Sequence, residues 1–342
     1  MIRFFNPALG YIEIKEEIDK EIERVLLAGD LILRKDVEAF EMNLSAYIGT
    51  KYAVALNSGT DALYLALKAL HIGIGDEVLV PSRTFVATAQ VVKQVGANLR
   101  FYDMEYDIES LVTEQTKAII PAHVEGEFDP LFKDVLAVAE KHDLYVIEDA
   151  CQALGAFNTE AKSAGSIGDI GCFSFYPAKI LGAYGDGGAL VTDNEEVYNY
   201  VKEARNHFKT DYSDWGINSR LDNIQAAILN VKMKYLPDIL EKRQWCAEAY
   251  SKGLRDIPLE LPEHRVGRVW QDYVVRTPQR DALYEYLKEK GVETMKNEYP
   301  FPVPKLPFAE EYEKETLRLP CNELLTDEEI STVIELINKF YE

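Results

Sequence analysis

Three neighbouring residues, Ser58, Gly59 and Thr60, stand between a run of apolar residues that predicts a strand and a run that predicts a helix. Main-chain N–H groups at a helix N-terminus, assisted by the helix dipole and two hydroxyl groups, can bind an anion such as a phosphate. The same residue types also suit ordinary capping of the helix. Taken alone, this segment favours capping.

Two carboxylates, Glu148 and Asp149, directly follow a predicted buried strand, and Gln152 lies shortly after them. A carboxylate at this position could bind a metal, act as a general base or pair with a protonated heterocyclic nitrogen. An aspartate that caps a helix fits the sequence equally well. The segment by itself leaves these interpretations open.

The most specific segment, residues 171–188, combines an aromatic strand containing Ser174, a proline turn, Lys179 and clustered glycines. A lysine is normally a solvated surface charge, but the neighbours of Lys179 form no polar helix face along which it could reach solvent. A lysine removed from water loses part of its preference for the charged form and can act as an amine nucleophile. The glycines permit either a tight turn or close approach of the backbone to a ligand.

A fourth segment, residues 216–222, contains Asn218 and Arg220 and by itself suits a helix cap. The first three segments, however, place an anion site, a carboxylate and a desolvated lysine in that order. Pyridoxal phosphate requires such a set, because its phosphate, its pyridine nitrogen and its aldehyde each need one of these groups. The sequence therefore predicts a pyridoxal phosphate site.

The elements that would position these residues alternate between strand and helix. Seven β-rich segments are predicted to be strands, at residues 52–56, 77–81, 99–102, 117–120, 144–147, 172–175 and 188–192. Apolar strands separated by helices predict an α/β fold with a mainly parallel seven-stranded sheet between helices, whose ligands bind beyond the carboxyl ends of the strands. The later part is richer in long charged helices, which predicts a large cofactor-binding domain at 1–235 and a small C-terminal α+β domain at 236–342. The proline-rich residues 299–304 are predicted to form an extended loop.

Composition disfavours several classes of function. The chain has 37 basic and 58 acidic residues and a net charge of −21, which disfavours nucleic acids and anionic membranes as partners. No segment is apolar over the roughly 18 residues that a membrane span needs. The four cysteines and five histidines lack the spacing of metal ligands, so we predict no metal and a cytoplasmic protein with reduced thiols.

The sequence resembles the DegT/StrS family of pyridoxal phosphate-dependent nucleotide-sugar aminotransferases. The resemblance runs from about residue 11 to the C-terminus and is carried by residues 57–63, 81–88, 148–153, 173–188 and 216–227. It implies the fold-type I aminotransferase architecture and a cofactor that alternates between pyridoxal 5′-phosphate and pyridoxamine 5′-phosphate. It also implies a homodimer with shared active sites.

The resemblance implies roles for individual positions. Lys179 would form the Schiff base and carry protons, and Asp149 would keep the pyridine nitrogen protonated. Gln152 would face the phenolic oxygen of the cofactor, and Phe85 would stack on its ring. The phosphate would be bound by Ser58, Gly59, Thr60, Ser174 and the neighbouring subunit's copy of Asn218. The expected substrate contacts are His123, Tyr184 and Arg220.

The implied reaction moves an amino group from L-glutamate to a keto-deoxysugar linked to a nucleoside diphosphate. Asp186 resembles members that aminate the third carbon of the sugar, since a glutamate is more usual there in fourth-carbon enzymes. Two alternatives are a pyridoxamine phosphate-dependent sugar dehydratase, which typically lacks the lysine, and a non-catalytic sensor or structural homologue.

Three features depart from the family pattern. His123 is followed by Val124 and Glu125, where the family usually has an aromatic residue before the glycine. Arg34 stands where a glycine is common, and the C-terminal domain is shorter than in most members. Because these features lie near the expected sugar side, they bear on substrate identity more than on cofactor chemistry.

Overall fold

A computed structural model describes residues 1–104, 106–297 and 306–342. The predicted loop at residues 299–304 lies outside the described residues. The helices are α1 (Pro7–Glu13), α2 (Lys15–Ala28), α3 (Lys35–Ile48), α4 (Gly59–Ala69), α5 (Val86–Gln94), α6 (Phe132–His142), α7 (Glu195–Ala204), α8 (Asn223–Met233), α9 (Leu236–Gly253), α10 (Arg280–Glu289), α11 (Pro307–Glu315) and α12 (Asp327–Tyr341).

A seven-stranded sheet forms the centre of the larger part of the molecule. Its strands are β1 (Tyr52–Leu56), β2 (Glu77–Pro81), β3 (Asn98–Tyr102), β4 (Thr116–Ile119), β5 (Tyr145–Asp149), β6 (Ile170–Ser174) and β7 (Gly188–Thr192). The strand order is β1-β7-β6-β5-β4-β2-β3, and β7 alone runs antiparallel to its neighbours. The predicted mainly parallel sheet of seven strands is therefore confirmed.

Helices cover both faces of this sheet, which explains why its strands are continuous apolar runs. Adjacent residues of β7 show the alternation: Leu190 packs with α4, α5 and α7 on one face. Ala189 and Val191 pack with α3 and α8 on the other. The carboxyl ends of β5 and β6 consequently meet at one edge of the sheet, where Asp149 and Ser174 end their strands.

A second, antiparallel sheet has the order β8-β10-β9 and consists of β8 (Tyr273–Arg276), β9 (Met295–Lys296) and β10 (Thr316–Leu319). Together with α9, α10 and α12 it surrounds its own hydrophobic core. Helix α9 runs from one core to the other, since Leu236 packs with the large sheet and Tyr250 with the small one. Ile2, near the N-terminus, also packs in the small core. The division at residue 235 stays a prediction.

Candidate active site

A cavity of about 600 Å³ lies between the edge of the large sheet and the small sheet. The structure brings most of the predicted site residues to this cavity, namely Ser58, Gly59, Thr60, Phe85, His123, Asp149, Gln152, Ser174 and Lys179. They come from separate strand ends, as expected for a ligand site in an α/β sheet.

The anion site is the N-terminus of α4, which begins at Gly59. Ser58 caps this helix, since its hydroxyl accepts a hydrogen bond from the Asp61 N–H at 3.1 Å. A Cβ atom at Gly59 would lie 2.6 Å from Sγ of Cys151, and one at Gly188 would lie 2.2 Å from the carbonyl carbon of Ser58. Glycine at these two positions allows β7 and the residues that follow β5 to lie close to the loop between β1 and α4. The first N–H groups of the helix are thereby held beside the cavity.

Asp149 is buried at 8% exposure, and two donors hold its carboxylate. The Thr88 hydroxyl donates to Oδ2 at 2.7 Å, and the Cys151 N–H donates to Oδ1 at 3.2 Å. These two hydrogen bonds fix the orientation of the carboxylate. Thr88 was not among the site residues predicted from the sequence. It lies one helical turn after Thr84, whose hydroxyl contacts the Thr88 hydroxyl at 2.8 Å.

Lys179 lies in the turn after β6, where its N–H donates to the Tyr176 carbonyl at 2.8 Å. Its side chain faces the cavity, so the residue is partly exposed, but the protein encloses its amine. This burial lowers the pKa of Lys179, while the nearby Cys151 thiol and the carboxylates of Asp272 and Asp149 act in the opposite direction. A lowered pKa increases the fraction of neutral, nucleophilic amine.

Gln152 and Phe85 present different groups to the cavity. Oε1 of Gln152 accepts the Glu125 N–H at 2.9 Å, which assigns its Nε2 group as the donor that remains for a ligand. Phe85 is 55% exposed and stands directly before α5. An aromatic face so exposed in a cavity can stack on a planar ring.

His123 lies at the cavity wall, but both of its ring nitrogens contact the protein. Nδ1 accepts the Asp129 N–H at 3.1 Å, so Nε2 carries the proton and donates to Glu148 at 2.8 Å. His123 is only 1% exposed. A hydrogen bond from this ring to a substrate would require one of these contacts to break, and the predicted substrate role of His123 stays a prediction.

The structure does not bring the other three predicted residues to this cavity. Tyr184 lines an adjacent cavity of about 470 Å³, which shares Lys179 with the first. Asn218 is exposed, and the Arg220 guanidinium donates to the Asn206 side chain at 3.0 Å. The Ser219 hydroxyl donates to Asp61 at 2.7 Å, which fastens this segment against α4 of its own chain.

The small sheet contributes residues that sequence reasoning missed. Asp272 and Arg318 line the cavity, with Nη1 of Arg318 at 3.5 Å from Oδ2 of Asp272. They precede β8 and lie within β10, far along the chain from the motifs around Lys179. No local pattern in the sequence links them to the site.

Within residues 1–104, 106–297 and 306–342, no group of at least three His, Cys, Asp or Glu side chains is arranged to hold a metal. None of the helices in that part of the chain is long and apolar enough to cross a membrane.

The sheet order and the cavity beside Lys179 place the protein among the aminotransferases of fold type I. More specifically, the chain belongs to the DegT/DnrJ/EryC1/StrS aminotransferase family, whose profile matches residues 12–338. This finding confirms the predicted family, its architecture and its class of enzyme.

Three similar proteins illustrate the family. The UDP-N-acetyl-3-dehydro-alpha-D-glucosamine 3-aminotransferase of Acidithiobacillus ferrooxidans is 37% identical over 96% of this chain and 95% of its own. A pleiotropic regulatory protein of Geobacillus stearothermophilus is also 37% identical, over 97% of this chain and 96% of its own. The crystal structure of S. venezuelae DesV in complex with a ketimine intermediate has a TM-score of 0.94 and 34% identity, and it covers 100% of this chain and 98% of that one.

Proposed function

We propose that the protein transfers an amino group from L-glutamate to the third carbon of a keto-deoxysugar linked to a nucleoside diphosphate. The coarser activity, nucleotide-sugar aminotransferase, is that of its family. The observation that carries the proposal is the enclosed amine of Lys179, which faces the same cavity as Asp149 and the N-terminus of α4. Asp186 lines this cavity too, in agreement with its resemblance to third-carbon enzymes.

The cofactor is pyridoxal 5′-phosphate, which supplies an aldehyde and an electron-accepting ring when bound. Ser58, Gly59, Thr60 and Ser174 would hold its phosphate at the start of α4. Asp149 would hold the pyridine nitrogen, and Phe85 and Gln152 would contact the ring and its oxygen. The loop before α4, with its close contacts at Gly59 and Gly188, fits the phosphate of this cofactor. The carboxylate of Asp149, which accepts hydrogen bonds from Thr88 and Cys151, fits its ring nitrogen.

Lys179 would move the proton in each half of the reaction. Because burial lowers its pKa, more of its amine is neutral and able to accept a proton from the donor's α-carbon. The same amine would return a proton to the sugar carbon. Thr88 and the Cys151 N–H would keep the Asp149 carboxylate oriented while this happens.

Several parts of the proposal concern the partner subunit, the substrate and the location of the protein. Asn218 would reach the phosphate in the partner subunit of a homodimer, which is consistent with its exposure on its own chain. His123, Tyr184 and Arg220 would contact the substrate. A cytoplasmic location and the pairing with L-glutamate belong to the same proposal.

Borohydride reduction of the holoenzyme, followed by peptide mapping, tests the central assignment. We expect the cofactor to be found on Lys179, and Lys179→Ala to abolish turnover. Lys232→Ala is the matched control, because Lys232 is a second largely buried lysine that lines only the adjacent cavity. An unmodified Lys179 in the reduced wild-type protein would refute the proposal.

A panel of keto-deoxysugars on different nucleotides, with glutamate as donor, tests the substrate. We expect amination of 3-keto sugars and little reaction with 4-keto sugars. Loss of a sugar hydroxyl without amine transfer would instead favour the dehydratase alternative, against which the presence of Lys179 counts.

A further inference from the structure

Glu125, which departs from the family pattern, binds Gln152 through its main chain. The Glu125 N–H donates to Oε1 of Gln152 at 2.9 Å. Gln152 lines the cavity that also contains Lys179. Because the oxygen of a side-chain amide accepts and its nitrogen donates, this contact decides which atom of Gln152 is left for a ligand.

The direction of this N–H depends on an unusual backbone conformation. Glu125 has a φ of +60°, which a residue with a Cβ atom adopts only at some cost. Gly126, the next residue, has a φ of +91°, which glycine adopts freely. Its carbonyl accepts the Val269 N–H at 2.8 Å, which fastens this turn to the chain before β8. Glu125 is therefore the strained member of the pair.

The side chain of Glu125 is held by residues from the part of the chain that contains the small sheet. It is 3% exposed, and its Oε1 accepts from Nδ2 of Asn297, directly after β9, at 2.9 Å. The hydroxyl of Tyr312, in α11, lies 3.0 and 3.1 Å from the two carboxylate oxygens. The Arg83 guanidinium lies 3.9 Å from Oε2. Contacts of this kind keep a strained backbone in place, and such strain clusters at functional sites.

We propose that Glu125 is a positioning residue whose carboxylate, held by Asn297 and Tyr312, stabilises the backbone conformation that directs its N–H to Gln152. Nε2 of Gln152 is thereby left to donate to the phenolic oxygen of the cofactor. The inference rests on the proposed function, because this oxygen is present only when pyridoxal phosphate is bound. The aromatic residue that is usual at this position in the family could not accept the two hydrogen bonds. The arrangement therefore belongs to chains with an acidic residue there.

The absorbance of the holoenzyme as a function of pH tests the proposal. A donor to the phenolic oxygen favours the form of the cofactor in which this oxygen alone carries the negative charge. Loss of the donor should therefore move the proton-linked change in absorbance to higher pH. We expect Gln152→Ala to raise the midpoint by about one pH unit, the scale of one hydrogen bond to a charged group. Glu125→Ala should reproduce much of this rise.

Glu125→Gly separates positioning from a general loss of packing. Glycine and alanine at this position both lack the carboxylate that contacts Asn297 and Tyr312. Glycine, however, adopts a positive φ without strain, whereas alanine does not. We expect the midpoint of Glu125→Gly to stay near that of the wild type and the midpoint of Glu125→Ala to rise. Equal rises in both variants, or no rise in Glu125→Ala, would overturn the proposal.

Glu127→Gln is the matched control. The Glu127 carboxylate lies two residues further on and accepts a hydrogen bond from Nη1 of Arg268 at 3.1 Å. The substitution thus weakens an ion pair between the same turn and the chain before β8, and this pair does not involve Gln152. We expect lower stability with an unchanged midpoint. A rise as large as that of Glu125→Ala would show that any loosening of this turn moves the midpoint, which contradicts a specific role of Glu125.

Deuterium exchange at the Glu125 main-chain amide, measured on the cofactor-free full chain, tests the same contact without the cofactor. Tyr312→Phe removes the hydroxyl but keeps the ring, over which the Arg83 guanidinium lies at 4.5 Å. We expect exchange at this amide to become several-fold faster in Tyr312→Phe and in Gln152→Ala. Wild-type exchange in both variants would overturn the proposal. A failed labelling of Lys179 would remove the proposed function, while the exchange result would still decide whether Glu125 is held on Gln152.

Discussion

At the scale of single residues, burial gives Lys232 an unusual pH dependence. Its amine donates to the Gly182 carbonyl at 2.7 Å and lies 4.0 Å from the centre of the Tyr184 ring. Burial lowers the pKa of Lys232 from 10.5 to about 8. Below pH 8 the lysine is charged in both the folded and the unfolded protein. Between about 8 and 10.5 the folded protein has lost a proton that the unfolded chain still holds, so stability contributed by this group rises with pH.

Comparison with Lys232→Met isolates this effect. From pH 7 to 10.5, the free energy of unfolding of the wild type should rise relative to the variant by about 3 kcal/mol at most. Urea unfolding at several pH values measures the difference. Lys234→Met, which removes an exposed lysine two residues further on, is the control for the loss of a lysine from this helix end. Parallel curves for the wild type and Lys232→Met would show that burial does not perturb this amine.

The residues predicted from the sequence are those whose signal is local. Lys179, Asp149 and residues 58–60 each lie in a short motif that combines a strand end with a polar or reactive group. The hydrogen bond from Thr88 to Asp149 and the position of Arg318 at the cavity were not predicted, because they depend on which strand ends and sheets come together in space. The contacts of the His123 ring could not be predicted from the sequence either, because Asp129 and Glu148 approach the ring from separate segments.

At the scale of elements, the close approach of β7 to the start of α4 depends on Gly188. A Cβ atom there would lie 2.2 Å from the Ser58 carbonyl carbon and 2.5 Å from the Gly59 nitrogen, both of which are backbone atoms. Gly188→Ala should therefore displace the phosphate-binding loop and weaken cofactor affinity about 10-fold or more. Fluorescence titration of the apoprotein with pyridoxal phosphate measures this affinity.

Gly185→Ala supplies the control for that experiment. Its added methyl group would lie 3.0 Å from the amide end of the Gln225 side chain, which can move aside. Cofactor affinity should stay near that of the wild type. Equal affinities for the Gly188 variant and the wild type would mean that the loop does not need this close contact.

Most helices and strands could be predicted, because the residue patterns that form them are local in the sequence. The sequence has a threonine three residues before a glutamate at Thr326 and Glu329, a capping box that starts α12 with both of its hydrogen bonds present. The antiparallel direction of β7 was not predicted, because residue patterns record burial and not strand direction. Residues 269–275 are mostly apolar, a pattern typical of a strand, but β8 begins only at Tyr273. Trp270 instead turns into the small core, where it is 1% exposed.

At the scale of the whole molecule, the surface around Asn218 suits contact with a second copy. Ile32 forms a main-chain bridge to Asp222 in the same segment as Asn218. Leu27, Leu31 and Ile32 are 82%, 45% and 38% exposed, so apolar side chains lie on the surface that leads to this segment. Neighbouring exposed apolar side chains mark surfaces that other proteins cover. In the proposed two-fold dimer these side chains would be covered, and Asn218 would face the partner's cavity.

Mixed dimers test whether the active sites are shared. Lys179→Ala and Asn218→Ala subunits are each expected to be nearly inactive alone. In a mixed dimer with shared sites, one site carries both substitutions and the other carries neither. Random pairing of equal amounts should therefore restore about a quarter of the wild-type rate. If the mixture is no more active than the average of its parents, Asn218 acts within its own chain or not at all.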